Sequence, residues 1–245
     1  MLSNVYLDKL DKELEARGLA FVRYADDFVV FTRSRKAALR VMQTVSSWIE
    51  RKLFLRVSAS KTQVVPPSKS EFLGFGFWKD RDTWKCKPLN SRKARLWDKL
   101  RAVTCRRTAA ATPLTKTIQK VNEILRGWIN YYRIGSMKGF MRETGQWIRH
   151  RVRVIMVKQW KKPKTIMKNL RWYCTLFNFH FSDEDLFKVA NSRKGLYAQC
   201  NGDVINYILS PKVLGTELRI GKGKKKGIKV YPGLVDPYAY YLNKI

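Results

Sequence analysis

Apolar positions along the chain change rhythm near residue 88. Leu2, Val5, Leu10 and Leu14 recur near helical spacing, and Gly18 is a natural stop, so a helix is expected over 2–17. Two Val- and Phe-rich runs follow, Phe21-Val22 and Phe28-Val29-Val30-Phe31, with a short polar break between them. That pattern predicts a β-hairpin at about 20–32. Ser34 can cap a second helix whose apolar face is Ala38, Val41, Val45, Trp48 and Ile49. Leu53, Leu55 and Val57 alternate with polar neighbours, as in a half-buried strand. Pro66-Pro67-Ser68 breaks the chain, and Phe72 to Trp78 reads as a strand pair, with Gly74 and Gly76 allowing tight bends.

Downstream the spacing is helical. Three stretches, about 91–107, 115–133 and 138–161, are separated by breakers. The second buries Ile118, Val121, Leu125, Trp128 and Tyr132; the third offers Phe140, Thr144, Trp147, Ile148, Val152 and Ile155 before Pro163 ends it. A three-helix bundle around an aromatic-rich core is expected there. Residues 171–245 are less regular, and the run Gly221-Lys222-Gly223-Lys224-Lys225-Lys226-Gly227 reads as a mobile basic loop able to hold phosphate. The expected fold is α+β: strands with two helices over 1–88, a helical domain over 89–170 and a basic extension over 171–245.

Charge sharpens this picture. Lys and Arg total 50 against 19 acids, a net charge of +31, which favours a polyanionic partner. No apolar run approaches the roughly 20 residues of a spanning helix, so nucleic acid is expected rather than membrane. In 91–170 only Asp98, Glu123 and Glu143 offset the many cations. Arg126, Arg149, Arg151, Arg153, Lys158, Lys161 and Lys162 crowd adjacent helix turns, where like charges repel until a phosphate backbone relieves them. They are the candidate RNA-binding residues. The aromatic residues among them, Trp128, Tyr131, Tyr132, Trp147 and Trp160, read first as core. Cys86, Cys105, Cys174 and Cys200 show no paired spacing, which argues against a zinc site or disulfide framework and for a reducing cytoplasm. His150 and His180 are too few to support a histidine-dependent nuclease.

The candidate chemistry lies in Tyr24-Ala25-Asp26-Asp27, between the two hairpin runs. An Asp-Asp pair alone is most simply a solvated turn. Framed by β-runs, two adjacent carboxylates instead invite a divalent cation, for which oxygen ligands and phosphate chemistry make Mg²⁺ the natural choice.

Arg23-Tyr24-Ala25-Asp26-Asp27-Phe28 resembles the catalytic signature of reverse transcriptases, in the form used by bacterial group II intron proteins. Ser60-Lys61-Thr62 and Phe72-Leu73-Gly74-Phe75 resemble the next two motifs of the same palm domain, in order. Leu2-Ser3-Asn4-Val5-Tyr6-Leu7-Asp8-Lys9-Leu10 resembles the helix before the catalytic hairpin. Leu125-Arg126-Gly127-Trp128-Ile129-Asn130-Tyr131-Tyr132 and Lys158-Gln159-Trp160-Lys161 resemble the maturase-specific thumb, or domain X. The resemblance covers roughly the first 170 residues.

It implies an RNA-directed DNA polymerase and maturase of the bacterial cytoplasm, acting on intron RNA, an RNA template and a DNA primer with two Mg²⁺ ions. Asp26 would be the bridging metal ligand and Asp27 a lesser one. Tyr24 and Ala25 would line the nucleotide pocket. Lys61 would meet the triphosphate or protonate pyrophosphate, although it reads equally as a surface lysine. Phe72, Leu73 and Gly74 would hold the primer, with a plain β-turn the competing reading. Ser60 stands where many relatives carry an acid. The resemblance also implies fingers and a first catalytic Asp upstream of Met1, for which Asp8, Asp11 and Glu13 on the first helix are no substitute. Three readings follow: a polymerase portion completed by an N-terminal fragment, an RNA-binding maturase module that polymerises nothing, or a truncated remnant.

Overall fold

The computed structural model describes residues 2–222 and 226–245. They form two compact units, residues 1–89 and 90–245, and the architecture is α+β.

In the first unit, helix α1 (Leu2–Ala16) ends at Gly18, which takes φ +65° as a left-handed helix stop. Strands β1 (Ala20–Tyr24) and β2 (Asp27–Phe31) pair antiparallel, with Tyr24 opposite Asp27 and Arg23 opposite Phe28. Strand alternation sends Phe21, Arg23, Phe28 and Val30 to one face and Val22, Tyr24, Asp27 and Phe31 to the other. On the inner face Phe21, Phe28 and Val30 pack on a core of Leu7, Leu10, Leu14, Val45, Ile49 and Leu53. Helix α2 (Arg35–Trp48) starts where Ser34 Oγ accepts the Ala37 amide, as its sequence foretells.

The strand expected at 53–57 does not form. The apolar face of α2 continues past Trp48 as a π-helical turn, Ile49–Leu53, which buries Leu53 and ends at Phe54 with φ +54°. Leu53 is therefore a helical core residue and not the first position of an alternating strand. A second, separate sheet carries β3 (Glu71–Phe72), β4 (Phe75–Asp80) and β5 (Thr83–Pro88) as a meander. Its first turn is Leu73-Gly74, with φ +52° and +81°, the twist that a two-residue hairpin prefers.

The second unit is helical. Helices α3 (Asn90–Val103), α5 (Leu114–Tyr132) and α6 (Lys138–Trp160) pack around Leu96, Leu100, Val121, Leu125, Ile129, Met141, Ile148, Val152 and Ile155. Aliphatic residues dominate this centre. Of the expected aromatics, Trp147 and Phe140 stack on Trp97 at centroid separations of 6.0 and 6.1 Å and Trp128 packs on Phe140, whereas Trp160 lies near Tyr173 and Tyr131 is exposed. The short α4 (Arg106–Ala109) lies against α6, whose Gln159 amide donates to the carbonyls of Ala109 and Thr112.

Pro163 begins a helix instead of merely ending one. It opens α7 (Pro163–Phe177), a position where its missing N–H costs nothing. The stretch that reads as irregular continues as α8 (Asp183–Ala190), α9 (Leu196–Gln199), α10 (Asp203–Ile208) and α11 (Pro211–Gly215), then strands β6 (Leu218–Lys222) and β7 (Lys226–Tyr231) and helix α12 (Pro237–Leu242). In the glycine/lysine run, Gly221 and Lys222 end β6 and Lys226 and Gly227 begin β7. Its centre, Gly223, Lys224 and Lys225, lies outside the described residues.

Helix α12 straps the bundle. The Asn122 side chain on α5 donates to the Gly233 carbonyl and accepts the Val235 amide, imitating a strand pair. Asp236 caps α12 through the Tyr238 and Ala239 amides while its other oxygen meets Arg149. The Tyr241 hydroxyl donates to the Gly135 carbonyl. Gly233 passes so close to Gly215 that an added Cβ would lie 2.0 Å from the Gly215 carbonyl oxygen.

Candidate functional site

The β1–β2 connection has only two residues, Ala25 and Asp26. Ala25 takes φ +56°, a left-handed conformation that costs a non-glycine residue about 1–2 kcal/mol. Something must hold it there. Arg23, on the inner face, donates from Nη1 to the Ala25 carbonyl at 2.8 Å and to Asn4 Oδ1 at 3.0 Å. Its Nε and Nη2 form a bidentate pair with the two carboxylate oxygens of Asp11 on α1. Asp26 and Asp27 are both exposed and have no ion-pair partner among the described residues. Tyr24 is also exposed, on the same outer face as Asp27.

Neither the Arg23 clamp nor its Asp11 anchor is evident from the motif, in which Arg23 is a flank and Asp11 has no part. A signal was present, however. Period-two alternation places Arg23 on the face of Phe21, and an arginine facing a core needs a carboxylate partner.

Lys61 stands apart from this turn. It lies exposed in a tight bend closed by its own amide and that of Thr62 on the Ser58 carbonyl. It makes no hydrogen bond or ion pair with Asp26 or Asp27. Phe72 ends β3 and Leu73-Gly74 is the β3–β4 turn, in a sheet with no strand in common with the hairpin. Among the described residues, no group of three or more His, Cys, Asp or Glu side chains could hold a metal ion. The donors at the turn suit a hard divalent cation, since both are carboxylates free of competing cations. Two carboxylates are a partial coordination set, to be filled by water, phosphate or a further acid.

The candidate RNA-binding cations, on α5, α6 and the α6–α7 junction, divide into two groups. Arg126, Lys158, Lys161 and Lys162 are exposed. Arg149, Arg151 and Arg153, expected among the RNA-binding residues, are instead each hydrogen-bonded within the unit. Arg149 pairs with Asp236 at 2.8 Å. Arg151 donates to the Thr104 carbonyl at 2.9 Å and lies over the Trp147 ring. Arg153 is only 8% exposed and donates to the Leu209 carbonyl and Asn206 Oδ1; burial lowers its pKa. Arg149 and Arg153 are four residues apart and share one stripe of α6, whereas Arg151 lies on another face and meets Thr104. An exposed basic concavity survives nearby, lined by Cys105, Arg106, Arg107, Ala110 and Lys158. Backbone amides of Arg107 and Thr108 lower the Cys105 pKa there.

His150 lies between two of the internal arginines, its ring edge-on to Tyr197 at 4.1 Å. Burial, then Arg153 and Arg151, push its pKa below the usual value. The folded state therefore favours neutral imidazole, whereas the unfolded chain takes up a proton near pH 6.5. Stability contributed this way is complete above that pH and is lost as pH falls. The melting midpoint should drop between about pH 7.5 and 5.5, and drop less in His150→Gln; identical profiles would discount the residue.

Residues 1–77 match the reverse transcriptase (RNA-dependent DNA polymerase) family, and residues 93–174 match the group II intron maturase-specific domain. In that order, the two define a class of intron-encoded proteins that pair a polymerase palm with a maturase domain. The chain belongs to the group II intron reverse transcriptase/maturases. No curated protein matches it. No helix among the described residues is long and apolar enough to cross a membrane.

Proposed function

We propose that the chain binds group II intron RNA through exposed cations of its helical unit and contributes Asp26 and Asp27 to template-directed addition of nucleotides to a DNA primer. The observation that carries the catalytic half is the acidic turn: two adjacent, exposed carboxylates without cationic partners, within the residues that match the polymerase family. Mg²⁺ held there would activate the primer hydroxyl and steady the departing pyrophosphate. Asp26, at the turn itself, is the leading ligand, and Asp27 supports it from the first position of β2. Tyr24, opposite Asp27 on the outer face, would border the nucleotide. Lys61 and the Phe72-Leu73-Gly74 turn keep their proposed contacts with triphosphate and primer.

For RNA, the exposed set is Arg126, Lys158, Lys161 and Lys162, joined by Arg106 and Arg107 at the concavity. RNA of this kind is recognised by shape and phosphate position, which suits scattered surface cations. Replacing Arg106, Arg107 and Lys158 together with Ala should flatten the dependence of log affinity on log salt by about 2 units, at roughly 0.7 to 0.9 per phosphate contact. Filter binding of intron RNA across a salt series tests this, and an unchanged slope removes the three from the interface. The Arg149, Arg151 and Arg153 triple variant should instead lose folding stability, because each severs an internal bond.

A second reading, a maturase module that binds RNA without polymerising, is favoured by the partial coordination set at the turn. The two readings part on primer extension. A completing N-terminal fragment, which would supply a further palm acid, belongs to the first of them.

A further inference from the structure

We infer that Arg23 is the positioning residue of the acidic turn: anchored by Asp11 and Asn4 on α1, its guanidinium fixes the Ala25 carbonyl and so the direction in which Asp26 leaves the hairpin. The inference rests on the reading that Asp26 and Asp27 hold the metal. Three observations support it. First, the Ala25 carbonyl belongs to the peptide that joins Ala25 to Asp26, so a donor fixed on that oxygen at 2.8 Å orients the plane from which Asp26 springs. Second, Ala25 sits at φ +56°, where glycine would ordinarily be found, and Arg23 supplies a side-chain contact to that strained residue.

Third, Asp11 governs where the positive charge goes. Arg23 lies within three or four residues of both turn carboxylates and, left alone, would be their natural counter-ion. The Asp11 carboxylate instead occupies Nε and Nη2 in a fork-to-fork pair, with the two side chains only 11% and 25% exposed. Asn4 takes a share of Nη1. The guanidinium is thereby held on the inner face of the hairpin, while Tyr24 and Asp27 occupy the outer face. Asp26 and Asp27 stay unpaired and open to a cation. Lysine cannot reproduce this, since its single ammonium lacks the planar fork that serves Asp11 and Ala25 at once.

The test uses the full chain, isotopically labelled, with Arg23→Lys, Arg23→Ala, Asp11→Asn and Asp26→Asn variants. Two quantities are read by NMR. One is the Ala25 amide coupling and carbon shifts, which report a left-handed residue. The other is the Mn²⁺ concentration that half-broadens the Asp26 and Asp27 amides. In both Arg23 variants Ala25 should lose its left-handed signature, and the Mn²⁺ midpoint should rise about tenfold or more, as when a group supporting a metal ligand is removed. Methylguanidinium should recover part of the shift in Arg23→Ala, an effect that general loss of stability would not give. Asp11→Asn, the mildest change, should raise the Mn²⁺ midpoint by freeing Arg23 to meet the turn carboxylates. A left-handed Ala25 and an unchanged midpoint in both Arg23 variants would overturn the inference. Failure of Mn²⁺ to broaden the wild-type turn, or equal broadening in Asp26→Asn, sinks the metal reading instead; the Ala25 signature then still decides whether Arg23 holds the turn.

Discussion

Given a primed RNA template, deoxynucleotides and Mg²⁺, the 245-residue chain by itself should extend no primer to a detectable length. Two ions about 4 Å apart must both be anchored for in-line attack at the α-phosphate. The turn supplies Asp26 and Asp27, and no cluster of three potential ligands occurs among the described residues. Adding a palm segment with a further acid, in cis or as a separate fragment, should restore extension. In that completed enzyme Asp26→Asn should lower the rate on the order of a thousandfold, which corresponds to about 4 kcal/mol of barrier. Extension by the chain alone would show that two carboxylates suffice. Extension that survives Asp26→Asn would move the metal elsewhere.

Gly233→Ala should be the most damaging single methyl added to the helical unit. Its Cβ would stand 2.0 Å from the Gly215 carbonyl oxygen and 2.6 Å from the carbonyl carbon, both backbone atoms that no rotamer change can move aside. The Leu234 amide donates to the Leu214 carbonyl at 2.7 Å, so separating these segments also strains a hydrogen bond. The Asn122 bridge to Gly233 and Val235 would be pulled out of line as well. A loss of about 3 kcal/mol is expected, lowering the melting midpoint by roughly 6–12 °C for a unit of this size. Gly127→Ala, on α5 with open space around the new methyl, is the matched control and should be neutral or slightly stabilising. Equal melting of the two variants would mean that the strap is not packed as described.

The parts of this fold that local rules determine were legible in the sequence. The stop at Gly18, the Ser34 cap, the hairpin with its acids at the turn and the three long helices each follow from a spacing or one residue's chemistry. The π-helical turn at Ile49–Leu53 was not legible, because an apolar face running past the end of a helix looks the same as the start of an alternating strand. The fate of the arginines was hidden for a different reason. Arg149, Arg151 and Arg153 appear as a basic cluster until their partners are known, and those partners (Asp236, Thr104, Leu209 and Asn206) lie about fifty to ninety positions away. The role of Asp11 is hidden likewise, since it depends on facing Arg23 across the turn from helix to strand. Motif resemblance located the acids but said nothing of what aims them.

The strap also sets an order of events during synthesis. Asn122 and Arg149 wait for Gly233, Val235 and Asp236, between 87 and 113 positions further along the chain. A ribosome that has released α5 and α6 has therefore exposed helices whose closing contacts are not yet made. Such distant pairing is slow to find, and the waiting species presents apolar helix surface and a dense run of unneutralised arginines. Bundle closure thus waits on residues 233–236, and a nascent chain stalled before residue 233 would remain open to whichever polyanion it meets first.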